Sequence, residues 1–255
     1  MKNEIVLDIE TTGLSPEIHK ITEIAAIRLS DGEEFSSLVD PGVPIPAKIS
    51  EITGITDEMV KGADPVGMVL KRLDAFMGET PVLVGHNIRF DYSFLKTGFL
   101  REMEKGEKFT GWTKEDLSGV DTLFLAKQLH PELPHKDLDT VTKYYGIHNN
   151  QAHRALSDTR ATAALYQAMK NECRESETER RKEGWEEIFK PAPLFYKVKK
   201  QEPITLKQKK YLEALLRYHG VSLIERGFAK SMEELTKSEA SKAIDGLIFQ
   251  YGKMY

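Results

Sequence analysis

The sequence predicts an α/β fold, a mixed β-sheet flanked by helices, with a small helical C-terminal module after it. Three observations carry that expectation. Residues 4 to 10, EIVLDIE, alternate as a strand, with Ile5, Leu7 and Ile9 on one side and Val6, Asp8 and Glu10 on the other. The run ITEIAAIRLSDGEEF reads as two strands joined at Asp31-Gly32, a hairpin signal. Beyond it, helix-like and strand-like patterns alternate to about residue 170.

The elements follow in order. After the hairpin comes DPGVPIPAKISEITGIT, punctuated by Pro and Gly and long enough for a functional loop. Helical periodicity runs from about residue 66 to 77, PVLVGHN is a buried strand, and residues 90–100 form a helix. Asp121 caps the helix DTLFLAKQLH, another helix covers 138–145, and the last of this region covers 155–170. Residues 1–170 thus make one α/β domain, and 171–203 a charged helix with a linker. The linker is PAPLFYKVKKQEP, whose three prolines give an extended tether. Capping boxes at Thr205/Gln208 and Thr236/Glu239 start the two helices of a module spanning 204–255.

Composition sets bounds. The 255 residues, 40% apolar and 30% charged, describe a globular protein large enough for a real core. A net charge of -4 does not mark a nucleic-acid binder, although cations in an acidic site reverse the local sign. Cys173 is the single cysteine, so no intrachain disulfide forms, and its charged surroundings read as a surface thiol. No segment has the pattern of a signal peptide or the roughly 20 apolar residues that span a bilayer, so the expectation is a cytoplasmic protein without a membrane partner.

Five residues on three separate segments carry the chemistry. Asp8 and Glu10 are two apart on a strand and project from one face. Buried side by side they repel unless a cation compensates; on a solvent-facing edge they are ordinary acids. Asp91 follows GHNIRF at the start of a helix, where alone it reads as an acid favoured by the helix dipole. His153 and Asp158 are five apart, about 140° around an ideal helix. Asp158 therefore belongs on the helix and His153 in or just before its first turn. A lone histidine is commonly a cap or surface group, whereas acidic neighbours suit it to taking a proton from water. Together, four carboxylates and one imidazole equip a site for two divalent metals and proton transfer, the chemistry of phosphodiester hydrolysis.

The three segments, in this order, resemble the motifs of the DEDDh branch of the DnaQ-like 3′–5′ exonucleases, which have an RNase H-like fold. DIETTG resembles the first motif, HNIRFD the second and HRALSDTRAT the third. IPAKISEITGIT and DTLFLAKQL resemble connecting segments of bacterial members, including the epsilon proofreading subunit of the replicative polymerase. The similarity covers about residues 1 to 170. A sister branch places tyrosine four residues before the last aspartate; Arg154 stands there in this chain, which favours the histidine branch.

The resemblance implies two Mg²⁺ or Mn²⁺ ions, with Asp8 bridging both, Glu10 and Asp158 on the nucleophile side and Asp91 on the other, and with His153 as general base. It implies 5′-monophosphates released from DNA 3′ ends, single strands preferred. It also implies a terminal-nucleotide pocket formed by Thr11, Thr12 and Gly13 through their backbone, Leu14 against the base, Ile52 or Ile55 as a wedge, and His86, Asn87 and Phe90 as a wall. Core packing is an equal expectation for the isoleucines and Phe90. Lys197, Lys199, Lys200, Lys207, Lys209, Lys210 and Arg217 cluster near the module, opposed there by Glu202 and Glu213. They read as a nucleic-acid surface or a solubilising face, and the module as a contact for a polymerase or another DNA-processing partner. Alternatives for the whole chain are an exoribonuclease on RNA or short oligonucleotides, a polymerase-tethered proofreading subunit and a non-catalytic scaffold.

Overall fold

The computed structural model describes residues 3–112, 117–149, 151–175, 185–198, 202–223 and 231–254. The chain divides into two compact units, Met1–Val198 and Lys199–Tyr255.

The first unit runs β1 (Glu4–Thr11), β2 (Ile21–Arg28), β3 (Glu34–Leu38), α1 (Ala47–Thr53), α2 (Asp57–Val60), α3 (Val66–Met77), β4 (Val82–Gly85), α4 (Ile88–Glu104), β5 (Ser118–Asp121), α5 (Thr122–Leu129), α6 (Leu138–Tyr144), α7 (Ala155–Glu175), α8 (Trp185–Ile188) and β6 (Ala192–Pro193). The strands form one mixed sheet in the order β3-β2-β1-β4-β5-β6. Strand β1 is antiparallel to β2 and parallel to β4, which is itself parallel to β5.

The period-two pattern of β1 explains the layering. Ile5, Leu7 and Ile9 enter a core with Val69 and Leu73 of α3 and Tyr92 and Phe99 of α4. Val6 enters a second core on the other face, with Val84, Val120, Leu125, Val141 and Leu165. Helices thus cover both faces of the sheet, as the sequence predicts.

Several expectations need correction. The segment 40–56 is not simply a loop, because it contains α1, and Ile55 is fully buried with Ile45 and Val60 beneath it. Strand β5 escaped notice: SGVD is short, with only Val120 and Gly119 buried in it. Cys173 is buried in the second core rather than exposed, because α7 continues past residue 170 to Glu175.

Residues 192–196 are no tether. β6 pairs antiparallel with β5, Leu194 is buried, and the Tyr196 hydroxyl donates to Glu17 Oε1 at 2.5 Å. Without β6 the β5 edge would present unpaired backbone groups, and Pro193 is tolerated because an edge strand needs no donor on its outer side. Gly119 permits the close approach, since a Cβ there would lie 2.8 Å from Leu194 Cδ1.

The second unit contains α9 (Leu206–His219) and α10 (Lys237–Tyr251), with a 3₁₀ turn at Met232–Glu234 before α10. Both expected capping boxes are formed, and a third, Ser231 with Glu234, caps the turn. Leu212, Leu215, Leu235, Ala243 and Leu247 make its core. Lys199 and Lys200 of the basic cluster lie outside the described residues. Among the described residues, no helix is long and apolar enough to cross a membrane.

Truncating the buried residue of the added strand, Leu194→Ala, is expected to cost about 2–5 kcal/mol, read as a lower midpoint for the unfolding of the first unit. An unchanged midpoint would restore the tether.

Candidate active site

Asp8 and Glu10 occupy the centre of the sheet, half-buried on the face of β1 that α7 covers. Asp158, in the first turn of α7, is buried there. Carboxylate oxygens of these three residues all lie within 4.8 Å of one another, a spacing that one cation can span. Asp91 stands beside this group rather than within it. It arrives from α4 in the opposite layer, 3% exposed, and its Oδ1 accepts the Ile9 backbone N–H at 3.1 Å.

Electrostatics sets this cluster apart. Burial, followed by Asp91, Glu10, Asp158 and Glu23, holds the Asp8 carboxyl well above its ordinary range. Glu10 is pushed up to about 8 by burial first and then by Asp158 and Glu23, and Asp91 to about 8 by burial. Burial also raises Asp158, against the lowering effect of two hydrogen bonds. Those bonds come from Asn149 Nδ2 at 2.5 Å and the His153 backbone N–H at 3.0 Å. Such a set of acids repels itself until a cation arrives, and its hard oxygens suit a divalent ion.

His153 lies two residues before α7, as its spacing from Asp158 predicts, with its side chain exposed. It adopts φ 64°, and Asn87, at the entry to α4, adopts φ 66°. Left-handed backbone is unusual for residues other than glycine and clusters at functional sites. For His153 it aims the N–H at Asp158, tying the catalytic-type loop to the cluster.

Sequence reasoning missed Glu23. It faces Glu10 across the β1–β2 ladder, is 3% exposed, and accepts both Arg154 Nε (3.1 Å) and Nη2 (2.8 Å). The Ala155 backbone N–H adds a third bond at 3.0 Å. The signal was present: one acid inside a strand whose other positions, through Ile27, are all buried.

The residues expected around a terminal nucleotide divide. Thr11 and Thr12 are buried, and their hydroxyls hold the turn, one donating to Gly13 O and the other accepting from the Lys20 N–H. Gly13 is required because a Cβ would sit 2.5 Å from the His19 ring. Leu14 is 83% exposed and Ile52 46%, so both present apolar surface to solvent. Ile55 is the correction here: it fills the small core under α1 and presents nothing. His86 has both ring nitrogens engaged, by Thr122 Oγ1 at 2.9 Å and the Lys136 carbonyl at 2.7 Å, and acts as a brace. Asn87 is exposed, and half-buried Phe90 packs on Phe94. A groove of about 570 Å³ opens beside Asn87, lined by Arg89, Phe124, Lys127 and Leu194 among others.

A mixed sheet carrying clustered carboxylates at its central strand has a donor set of the kind that suits a divalent cation. Residues 5–166 match the exonuclease family of RNase T type, and the chain belongs to that family, the DnaQ-like DEDD 3′–5′ exonucleases with an RNase H-like fold. The PolC-type DNA polymerase III of Listeria welshimeri is 43% identical over 163 residues, which is 63% of this chain and 11% of the polymerase. Escherichia coli exonuclease I, solved with a dA16 oligonucleotide, superposes with a TM-score of 0.58 at 25% identity, over 67% of this chain and 41% of that one. Exonuclease X, solved with 5′-overhanging duplex DNA, gives 0.52 at 25% identity, over 68% of this chain and 94% of its own.

The raised carboxyls predict a pH dependence. Glu10 ionises near its ordinary value when unfolded but at about 8 when folded, so the stability present below about pH 4 is lost as pH rises to about 8. In EDTA, wild type is expected to lose at least about 4 °C more in melting midpoint between pH 5 and pH 9 than Glu10→Gln. Equal losses would remove the assigned strain.

Proposed function

We propose that the chain is a divalent-metal-dependent 3′–5′ exonuclease of the histidine branch that removes nucleoside 5′-monophosphates from DNA 3′ ends, single strands preferred. The observation that carries this reading is the set of Asp8, Glu10 and Asp158 oxygens within 4.8 Å, with Asp91 and His153 adjoining. The donor set fits two Mg²⁺ or Mn²⁺ ions, held by the four acids. Bound there, the cations neutralise the cluster and stabilise charge developing on the phosphate and the leaving 3′ oxygen.

The chain supplies the rest. The exposed His153 ring takes the proton of the attacking water as its oxygen bonds to phosphorus and the bond to the 3′ oxygen breaks. The released 3′ oxygen takes its proton from solvent. Asp158 accepts the His153 backbone N–H and so holds that residue beside the acids. Glu23 is a positioning residue: through Arg154 and the Ala155 N–H it fixes the start of α7, and with it His153. Leu14 and Ile52 supply apolar surface for the terminal bases, which suits stacking without base preference. The groove beside Asn87, lined by Arg89, Lys127 and Phe124 among others, suits the strand upstream. Similarity to PolC-type polymerases supports DNA over RNA.

The test follows 5′-labelled single-stranded DNA and RNA of matched sequence with Mg²⁺, Mn²⁺ or EDTA. The expected result is a metal-dependent ladder shortening from the 3′ end, faster on DNA, and absent in Asp8→Ala. His153→Ala is expected to lower kcat by about 10²–10⁴ and Glu23→Gln by about tenfold with KM unchanged. Faster cleavage of RNA would reassign the substrate, and no cleavage of either polymer would end the enzymatic reading.

A further inference from the structure

The second unit carries a charge of opposite sign to the whole. Residues 199–255 hold eleven Lys and Arg against seven Asp and Glu, within a chain of net charge -4. The surplus is organised on α9. Its inner side buries Leu212 and Leu215, while Lys207, Lys210, Tyr211, Arg217 and Tyr218 are exposed. These positions recur at helical spacing and share one exposed arc, with the cations away from the core and the tyrosines on the flank beside Leu215. Tyr211 is 37% and Tyr218 56% exposed, and Lys207, Lys210 and Arg217 make no ion pair among the described residues. Lys209, by contrast, is paired with Glu233 at 2.6 Å, and Glu213, at the margin of this side, interacts with Lys209.

The aromatic part extends beyond α9. Tyr218 meets His219 edge-on at 4.9 Å between ring centroids, and His219 stacks on Tyr251 of α10 at 5.4 Å and 27°. His219 is fixed by a contact from Nε2 to the Gly252 carbonyl at 3.1 Å. Partly exposed rings in series, bordered by cations, are poor at covering a core and well suited to bases and phosphates.

We propose that this side of α9, continued by the Tyr218–His219–Tyr251 ladder, binds single-stranded polynucleotide independently of a 3′ end. From Lys207 to Arg217 the helix rises about 15 Å, the span of about four phosphates at stacked-strand spacing. The cations contact phosphates and the tyrosines stack with bases, an arrangement tolerant of sequence. An end-independent anchor would hold a long strand between successive cleavages, a property the terminal-nucleotide pocket cannot confer.

The test uses fluorescence anisotropy on the full chain in EDTA, so binding is read without cleavage and apart from the exonuclease reading. The probes are circular and linear dT of about 30 nucleotides, linear rU of the same length and a duplex. Wild type is expected to bind the circle, which has no 3′ end. The combined change Lys207→Gln, Lys210→Gln and Arg217→Gln is expected to weaken that binding at least about tenfold. It should also flatten the slope of log K against log salt by about 2. Tyr211→Ala with Tyr218→Ala is expected to weaken it about tenfold with the slope unchanged. Tighter binding of dT or of rU would name the polymer. An unbound circle, a duplex bound as well as the circle, or variants with wild-type affinity and unchanged melting midpoints would overturn the assignment.

Discussion

Two carboxylates on the central strand of a sheet are an expensive arrangement, and the nuclease unit is built around it. Asp8 and Glu10 sit on β1 between neighbouring strands, under α7, where burial and mutual repulsion keep their protons on. Asp158 and Asp91 approach from opposite helix layers and increase the repulsion. No apolar core gains from this. On the proposed reading the arrangement serves as a receptor for cations, which makes folding stability, proton occupancy and metal affinity aspects of a single balance.

The surrounding polar contacts hold the site against that repulsion. The Ile9 N–H fixes Asp91, and Asn149 and the His153 N–H fix Asp158. Buried Glu23 and half-buried Arg154 form a bidentate pair that ties β2 to the start of α7. The left-handed backbone at Asn87 and His153 is held by hydrogen bonds of the same kind: one amide donates to Asp121 and the other to Asp158. The histidine is consequently placed by backbone hydrogen bonding, with its ring left exposed to solvent.

Much of this was legible in the sequence because the relevant signals are local. Alternation in EIVLDIE fixes which side of β1 carries Asp8 and Glu10, and spacing puts His153 just ahead of the helix that holds Asp158. Asp121 and the threonines at 205 and 236 cap helices as their neighbours imply. What escaped was non-local. Glu23 acquires its role only when β2 lies beside β1 and Arg154 reaches across 131 residues. Residues 192–196 look like a tether because prolines break periodicity, yet tertiary pairing with β5 overrides that local reading. Ile52 and Ile55 are indistinguishable by pattern, and only packing under α1 separates the exposed one from the buried one.

The central claim is that the buried acids keep protons which a cation displaces. Calorimetric titration of the full chain with Mn²⁺ at pH 7.5, in two buffers of different ionisation enthalpy, measures that exchange directly. The account predicts binding accompanied by release of about one proton or more, because carboxyls titrating near 8 are largely protonated before the metal enters. Binding enthalpies that are the same in both buffers would mean the acids were already ionised, and would contradict it.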